Sequence, residues 1–574
     1  MCRKGKRFSG KMAHITGKKT VFFVTSPRTP EKMRDEIKLL TEKFSGKKWD
    51  KHTQKEFYRE LSRQDFFEGA PTGEIDLKAR DRINRAPKSL GFVNLKPTIQ
   101  LTDAGKEYIY GPRPDEIFLR QLLKFQLSSP YHVDKSGSYD VKPYLELIRL
   151  ISDLGGLTKT EIALFVIPLI NVSAYSEVKD KILAFREAAK GIRARGIPYP
   201  RFIAAEFDRE LRELFAEEIA ENDIETRQSK TTTPAGFLNK KKRNHFDYAD
   251  AAIRYLRATN LFSFDPRSNR IQVIREREGD VAYILATIPR TILKTTEAAY
   301  KANLFAPAVP VLMSDDKAAL VAKITGLIPN SKPAELNTLS IPQLKDIYAK
   351  AREGKKAVLL EQERKELQTY KDYDDILDIF SKIENKEIDE SPLFFEWNVW
   401  RALTMLDDGE IIGNFRVDEA GAPLYPAPGN MADIVCKYSD FEVIVEVTTS
   451  SGQKQYEMEG EPVARHFGNH KRTTGKDVYC IFIAPTLNGA SVAHYYMLYR
   501  TNVQQYGGKA KIIPLSLDEF KVLLKNAAAA KNKPKSTHIY DFLKNAASYA
   551  ETAQSEADWK AKIAEQVKTT FLSV

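Results

Sequence analysis

Cysteine is scarce in this 574-residue chain: only Cys2, Cys436 and Cys480 occur, far apart and without a CxxC pair. That spacing argues against a zinc ribbon or a disulfide framework and fits a reducing compartment. Apolar runs of membrane-spanning length are also missing, so no membrane role is expected. The first twenty residues contain seven Lys or Arg and no acid, but no apolar stretch follows, so they do not read as a secretory signal. Two readings of this segment stay open, a basic arm on DNA or an extended start ahead of Met12.

Positive charge, by contrast, is in excess. The formal net charge is +12 and the isoelectric point about 9.1, a balance that suits a polyanionic partner such as nucleic acid. An apolar content of 42% is enough to build cores, and the length exceeds what one core can organise.

Along the chain, Val21–Thr25 reads as a short strand that Pro27 and Pro30 end, with a helix starting near Glu31. Ala79–Arg85 is helical and basic through Arg80, Arg82 and Arg85. Leu90-Gly91-Phe92-Val93 and Thr98–Leu101 then read as two short strands before a helix that Thr102 or Asp103 can cap, a winged-helix-like order. Over 143–192, Leu154-Gly155-Gly156-Leu157 turns into a second helix with Thr158 and Glu161 as a capping box and Leu157, Ile162 and Phe165 as core, like a helix-turn-helix. Over 244–275, Phe246–Thr259 is a helix, and Leu261–Phe264 with Ile271–Ile274 is a hairpin. Lys240, Lys241, Lys242 and Arg243 make a basic run, either a solvated loop or a phosphate contact. Residues 349–383 read as one long charged helix, within a spacer over 301–388.

Chemistry concentrates in 391–520. Pro392–Leu406 reads as an amphipathic helix, with Phe394, Trp397, Trp400 and Leu403 on its apolar side and Glu396 inside it. A turn-rich stretch leads to Asp433 at the entry of a strand, a tight turn at Ser439-Asp440, and the β-branched strand Phe441–Thr449. Strand period two gives Ile444, Glu446 and Thr448 one face, and a tight turn can set Asp433 beside Glu446. Carboxylates in an apolar sheet are costly unless paired or bound to a cation, and two at neighbouring strand ends suit Mg²⁺. Tyr456–Phe467 reads as helix, kinked or restarted at Pro462; if it continues, Glu459 and His466 share a face. Glu459 can then complete a metal shell and His466 act as a base or phosphate contact, unless it is simply a packed histidine. Apolar strands at 478–484 and 511–517 alternate with helices, so a mixed sheet flanked by helices is expected, with Cys436 and Cys480 in its core.

Asp433, twelve intervening residues and Glu446-Val447-Thr448 resemble the PD-(D/E)xK nuclease signature. Gly429–Asp433, Val445–Ser450 and Tyr456–His466 resemble the AlwI-type family of restriction and nicking endonucleases. Phe395-Glu396-Trp397, Cys480–Pro485 and Ile513–Leu517 extend the likeness, as do Ser26–Lys32 and the Leu-Gly-Phe-Val unit. The resemblance implies a multidomain chain, mainly helical with winged-helix units in an N-terminal recognition region and with a C-terminal α/β PD-(D/E)xK cleavage domain of FokI-like type. The expected divisions are 1–20, 21–130, 131–300, 301–388 and 389–574.

The resemblance further implies cutting double-stranded DNA at a fixed offset outside a short asymmetric site. Asp433, Glu446 and Glu459 would be catalytic and hold Mg²⁺, with Glu396 and His466 completing the site. DNA contacts are expected from Arg80, Arg82, Arg85, Lys240, Lys241, Lys242 and Arg243. Implied partners are a second copy or a small nuclease subunit for the second strand, and a cognate methyltransferase, in the cytoplasm of a prokaryotic cell. The signature lysine is absent: Thr448 stands in its place, and its role falls to His466, Lys454 or a second metal ion. Two other readings compete, a non-catalytic winged-helix regulator and a repair or transposon-end nuclease of the same fold.

Overall fold

The computed structural model describes every residue except 1–12, 15–17, 68, 226–232, 407–408 and 573. Cys2 and most of the basic 1–20 segment lie outside the described residues. The chain divides into two compact units, Met1–Asp265 with Arg270–Tyr348, and Pro266–Asn269 with Ala349–Val574. Among the described residues no helix is long and apolar enough to cross a membrane.

The first unit is helical with small hairpins. Helix α1 (Ile75–Ser89) carries the basic Arg80–Arg85 segment and is followed by β1 (Val93–Asn94) paired antiparallel with β2 (Gln100–Leu101). Helix α2 (Asp103–Tyr110) then starts on a Thr102 cap, the hydroxyl accepting the Gly105 N–H at 3.0 Å. Val21–Thr25 is not a strand. It is extended chain whose Val21 N–H donates to Ile167 O, and Val21, Phe23 and Val24 are buried.

Helix α3 (Pro143–Leu154) ends on Gly155, left-handed at φ 64°, and Thr158 with Glu161 closes a reciprocal capping box on the next short helix. Leu157, Ile162 and Phe165 are buried as expected. Helix α4 (Pro234–Arg257) begins with proline in its first turn and a Thr233 cap, and contains Lys240–Arg243. The run is therefore helical, not a loop, because Lys and Arg are good helix formers once a start signal precedes them. Strands β3 (Phe262–Asp265) and β4 (Arg270–Val273) pair antiparallel after it. Leu157 also bridges β4: its N–H donates to Ile271 O (3.0 Å), and its carbonyl accepts the Ile271 N–H (2.9 Å). Leu320, Val321, Ile324, Leu336, Leu344 and Tyr348 make a small core of their own. The expected long helix over 349–383 is instead two, Ile341–Leu367 and Tyr373–Glu384, separated at Tyr370, whose φ is 61°.

The second unit is built on a five-stranded mixed sheet. Its strands are β5 (Glu410–Gly413), β6 (Ile434–Lys437), β7 (Phe441–Val447), β8 (Asp477–Ala484) and β9 (Ile512–Ser516), in spatial order β9-β8-β7-β6-β5. The pairs β5/β6 and β6/β7 are antiparallel, and β7/β8 and β8/β9 parallel. The parallel strands β8 and β9 are nearly continuous apolar runs because helices cover their faces. Cys436 and Cys480 are core residues of β6 and β8. Helix α5 (Ser391–Leu406) is buried almost all round rather than on one stripe, which places Glu396 inside the protein. Helix α6 (Gln453–Thr473) runs unbroken through Pro462. Helices α7 (Gly489–Arg500) and α8 (Leu517–Ala529) follow β8 and β9, the latter opening on a Ser516–Glu519 capping box.

Candidate active site

The β6–β7 register sets Ile434 opposite Val445, so Asp433, one residue before, falls beside Glu446. The ladder turns this into a contact, since Asp433 Oδ2 accepts the Val447 N–H at 2.8 Å. Helix α5 packs beside the hairpin and supplies Glu396, whose carboxyl accepts the Ala427 N–H while its Oε2 is buried without a hydrogen-bond partner. Helix α6 contributes Glu459 and His466, seven residues apart. Glu459 Oε1 accepts the Thr448 hydroxyl at 2.7 Å, and His466 Nδ1 lies 2.8 Å from Glu446 Oε1. All five residues expected at the site are therefore on one end of one hairpin and its two covering helices.

These carboxyl groups raise each other's proton affinity. Burial, then the Glu446 charge, pushes Asp433 well above the usual carboxylate range; the residue keeps some exposed surface, but its carboxyl is enclosed. Burial, then Asp433, does the same to Glu396, and burial, then Glu459 and Glu396, to Glu446. Glu459 is raised by burial against the opposing Thr448 hydrogen bond. His466 is lowered, first by burial and then by Arg465, so both partners' shifts disfavour a charged His466–Glu446 pair. Each uncompensated buried charge costs on the order of several kcal/mol, and the natural compensation for an all-oxygen cluster is a hard cation. The donor set fits one, above all through the orphaned Glu396 Oε2. Among the described residues, no three acidic, histidine or cysteine side chains already form a cation cage. Asp433, Glu446 and Glu459 are each turned onto a protein partner instead. Lys454 is exposed at the start of α6.

The AlwI restriction endonuclease family profile matches residues 88–523, which include all five of these residues. The chain belongs to the AlwI restriction endonuclease family. It is a Type II site-specific deoxyribonuclease. No curated protein matches the chain. Among solved structures, the small subunit R.BspD6I2 of the heterodimeric restriction endonuclease R.BspD6I is 23% identical, covering 34% of this chain and 98% of its own, at a TM-score of 0.29. The BpuJ1 endonuclease binding domain, solved with pyrene- and phenanthrene-modified DNA, is 14% identical over 50% of this chain and 93% of its own (TM-score 0.31). FokI is 11% identical over 92% and 99% (TM-score 0.23).

In this AlwI-family chain the basic residues expected to meet DNA sort into two groups. Arg82 is committed to the buried Glu36, with Nε 3.1 Å from Oε1 and a second contact from Nη2, and its guanidinium lies 4.7 Å from the Phe67 ring centre. Lys241 sits 4.3 Å from the Phe215 ring centre and 5.0 Å from that of Phe237, and Lys242 4.8 Å from that of Phe207; burial lowers the pKa of both. Arg80 and Arg85 are exposed on α1, with Arg85 also bound to Asp81 at 3.2 Å. Arg243 is exposed and Lys240 half-buried on α4. Two contributors escape sequence reasoning. Thr448 reads there as a face-mate of Glu446 standing where a lysine is expected, with no role of its own, and the edge strand β5 is hidden in a turn-rich stretch.

Proposed function

We propose that this endonuclease is of Type IIS or nicking type: it binds a short asymmetric site with its helical unit and hydrolyses phosphodiester bonds at a fixed distance outside that site. The observation that carries the catalytic half is the convergence of four carboxyl groups, three enclosed and Glu459 half-buried, one with an unpartnered oxygen, at the end of β6–β7. Asp433, Glu446 and Glu459 would hold Mg²⁺, with Glu396 completing the oxygen shell. When bound, the ion supplies a Lewis acid that activates water and stabilises charge on the scissile phosphate and leaving oxygen.

The protein's own groups do the rest. With Glu446 ionised, a neutral His466 donates its Nδ1–H to Oε1, which fixes the tautomer. Nε2 is then an acceptor able to take a proton from an attacking water. Burial holds His466 in that neutral form.

For the reading half, the order α3, Leu157, the capped helix at Thr158, α4, β3, β4 is that of a winged helix. An insertion, spanning helices from Tyr175 to Ala220, separates its second and third helices. The Leu157–Ile271 bridge supports this reading, with α4 as the reading helix and β3–β4 as the wing. Arg80, Arg85, Lys240 and Arg243 are the phosphate contacts in this proposal. One catalytic centre cuts one strand at a time, so a double break would take a second copy or a small nuclease subunit. A cognate methyltransferase would protect the host's own sites.

The test is to digest phage DNA with Mg²⁺ and sequence the new ends. Ends at one constant offset from one shared short sequence are expected; ends scattered without a common sequence would overturn the reading.

A further inference from the structure

Thr448 is the first residue beyond β7, and its N–H donates to Ile483 O (3.0 Å), extending the ladder with β8. It shares the Glu446 face of the strand, where the nuclease signature carries lysine. Its side chain is buried and too short to reach beyond its neighbours. What it touches is specific. Oγ1 accepts the Ser450 N–H at 3.0 Å, so its single proton is directed to Glu459 Oε1 at 2.7 Å.

The anchor behind that bond is itself clamped. Fully buried Gln455 donates through Nε2 to Ser450 O and to Thr486 O, both at 2.8 Å, and accepts the Asn488 N–H at 2.8 Å on its Oε1. The turn after β7, the first turn of α6 and the turn after β8 are thereby tied together, with Thr448 as the outlet pointing at Glu459. The hydroxyl donates to Oε1, so this hydrogen bond fixes the Glu459 carboxyl through one of its two oxygens.

We propose that Thr448 is a positioning residue that aims Glu459 into the cleavage site, so that a held carboxylate completes the centre where related nucleases use a cation. This rests on the metal-dependent reading given above. Groups that orient a metal-binding side chain are worth about 10-fold to 100-fold in metal affinity or activity.

The experiment uses the full-length protein and compares wild type, Thr448→Val, Thr448→Ser, Glu459→Gln, the Thr448→Val/Glu459→Gln double variant and Asp433→Asn. Two readouts are taken: the Mg²⁺ concentration giving half-maximal cleavage, and the Ca²⁺ concentration giving half the divalent-dependent rise in melting temperature. Thr448→Val, close in shape but unable to donate, should move both midpoints upward by about 10-fold or more. Serine should restore them to within a few-fold of wild type, and the double variant should be no worse than Glu459→Gln. Wild-type midpoints in Thr448→Val, serine as impaired as valine, or additive losses in the double variant would each overturn the proposal. Should valine unfold the chain, Thr448→Ala takes its place: both midpoints are expected to move upward, and wild-type midpoints would overturn the proposal. Cleavage by wild type without divalent metal, or by Asp433→Asn, would instead bring down the metal-dependent reading beneath it.

Discussion

At the scale of single residues, the candidate centre is a set of carboxyl groups that the fold holds at some cost. Asp433, Glu446 and Glu396 all have their pKa raised, by burial first and by a neighbouring carboxylate second: Glu446 for Asp433, Glu459 for Glu446 and Asp433 for Glu396. An acid whose folded pKa is raised contributes stability that is fully present below its unfolded value, near 4. That contribution is lost as pH rises toward the raised folded value. The metal-free protein therefore bears this cost at neutral pH. Asp433→Asn removes one charge and keeps an oxygen to accept the Val447 N–H. The variant should melt higher than metal-free wild type at pH 7–8, by roughly 2–4 °C per kcal/mol relieved. The advantage should shrink toward zero near pH 4, and saturating Mg²⁺ should narrow it at neutral pH. A variant that melts lower than wild type throughout, followed by calorimetry across pH, would contradict this account of the site.

At the scale of elements, much is legible in the sequence because it follows from local rules. The β6–β7 hairpin shows as a turn between two β-branched runs, and strand period with that tight turn makes Asp433 a neighbour of Glu446, as the register has it. The Thr158–Glu161 box and the Thr102 cap are likewise readable. What is not legible depends on neighbours distant in sequence. Val21–Thr25 has strand composition but no ladder partner among the described residues. The edge strand β5 lies between glycine and asparagine turns and gains its identity only by pairing with β6. The spacer helix breaks at Tyr370, a non-glycine residue at positive φ that no propensity foretells. Helix α5 reads as one-sided but is enclosed on both faces, and that enclosure is what makes Glu396 costly.

Helix α4 shows the same limit for charge: four consecutive basic residues look equivalent in sequence, yet helical geometry turns Lys241 and Lys242 onto aromatic rings. Neutralising Arg243 or Lys240 should weaken DNA binding and reduce the salt slope by about one for each phosphate left without its cation. Lys241→Met and Lys242→Met should leave the slope unchanged. Binding titrations over a salt series check both, and equal slopes for all four variants would contradict the assignment.

At the scale of the whole molecule, a basic chain combines a largely helical unit with a unit built on one carboxylate-lined sheet. In the proposed reading, one part would supply sequence-independent attraction and sequence choice, and the other hydrolysis. The AlwI-family match spans both units, from residue 88 to residue 523. Phosphodiester hydrolysis is expected to depend on a divalent cation held by the Asp433–Glu446–Glu459 cluster. The most direct measurement incubates the purified full-length protein with supercoiled plasmid carrying its site, in Mg²⁺, in EDTA, and with Asp433→Asn in Mg²⁺. The account predicts nicked circles or discrete fragments from wild type in Mg²⁺ alone, with Asp433→Asn still binding DNA but at least about 1,000-fold slower in cleavage. Undiminished cleavage in EDTA, or by Asp433→Asn, would contradict it.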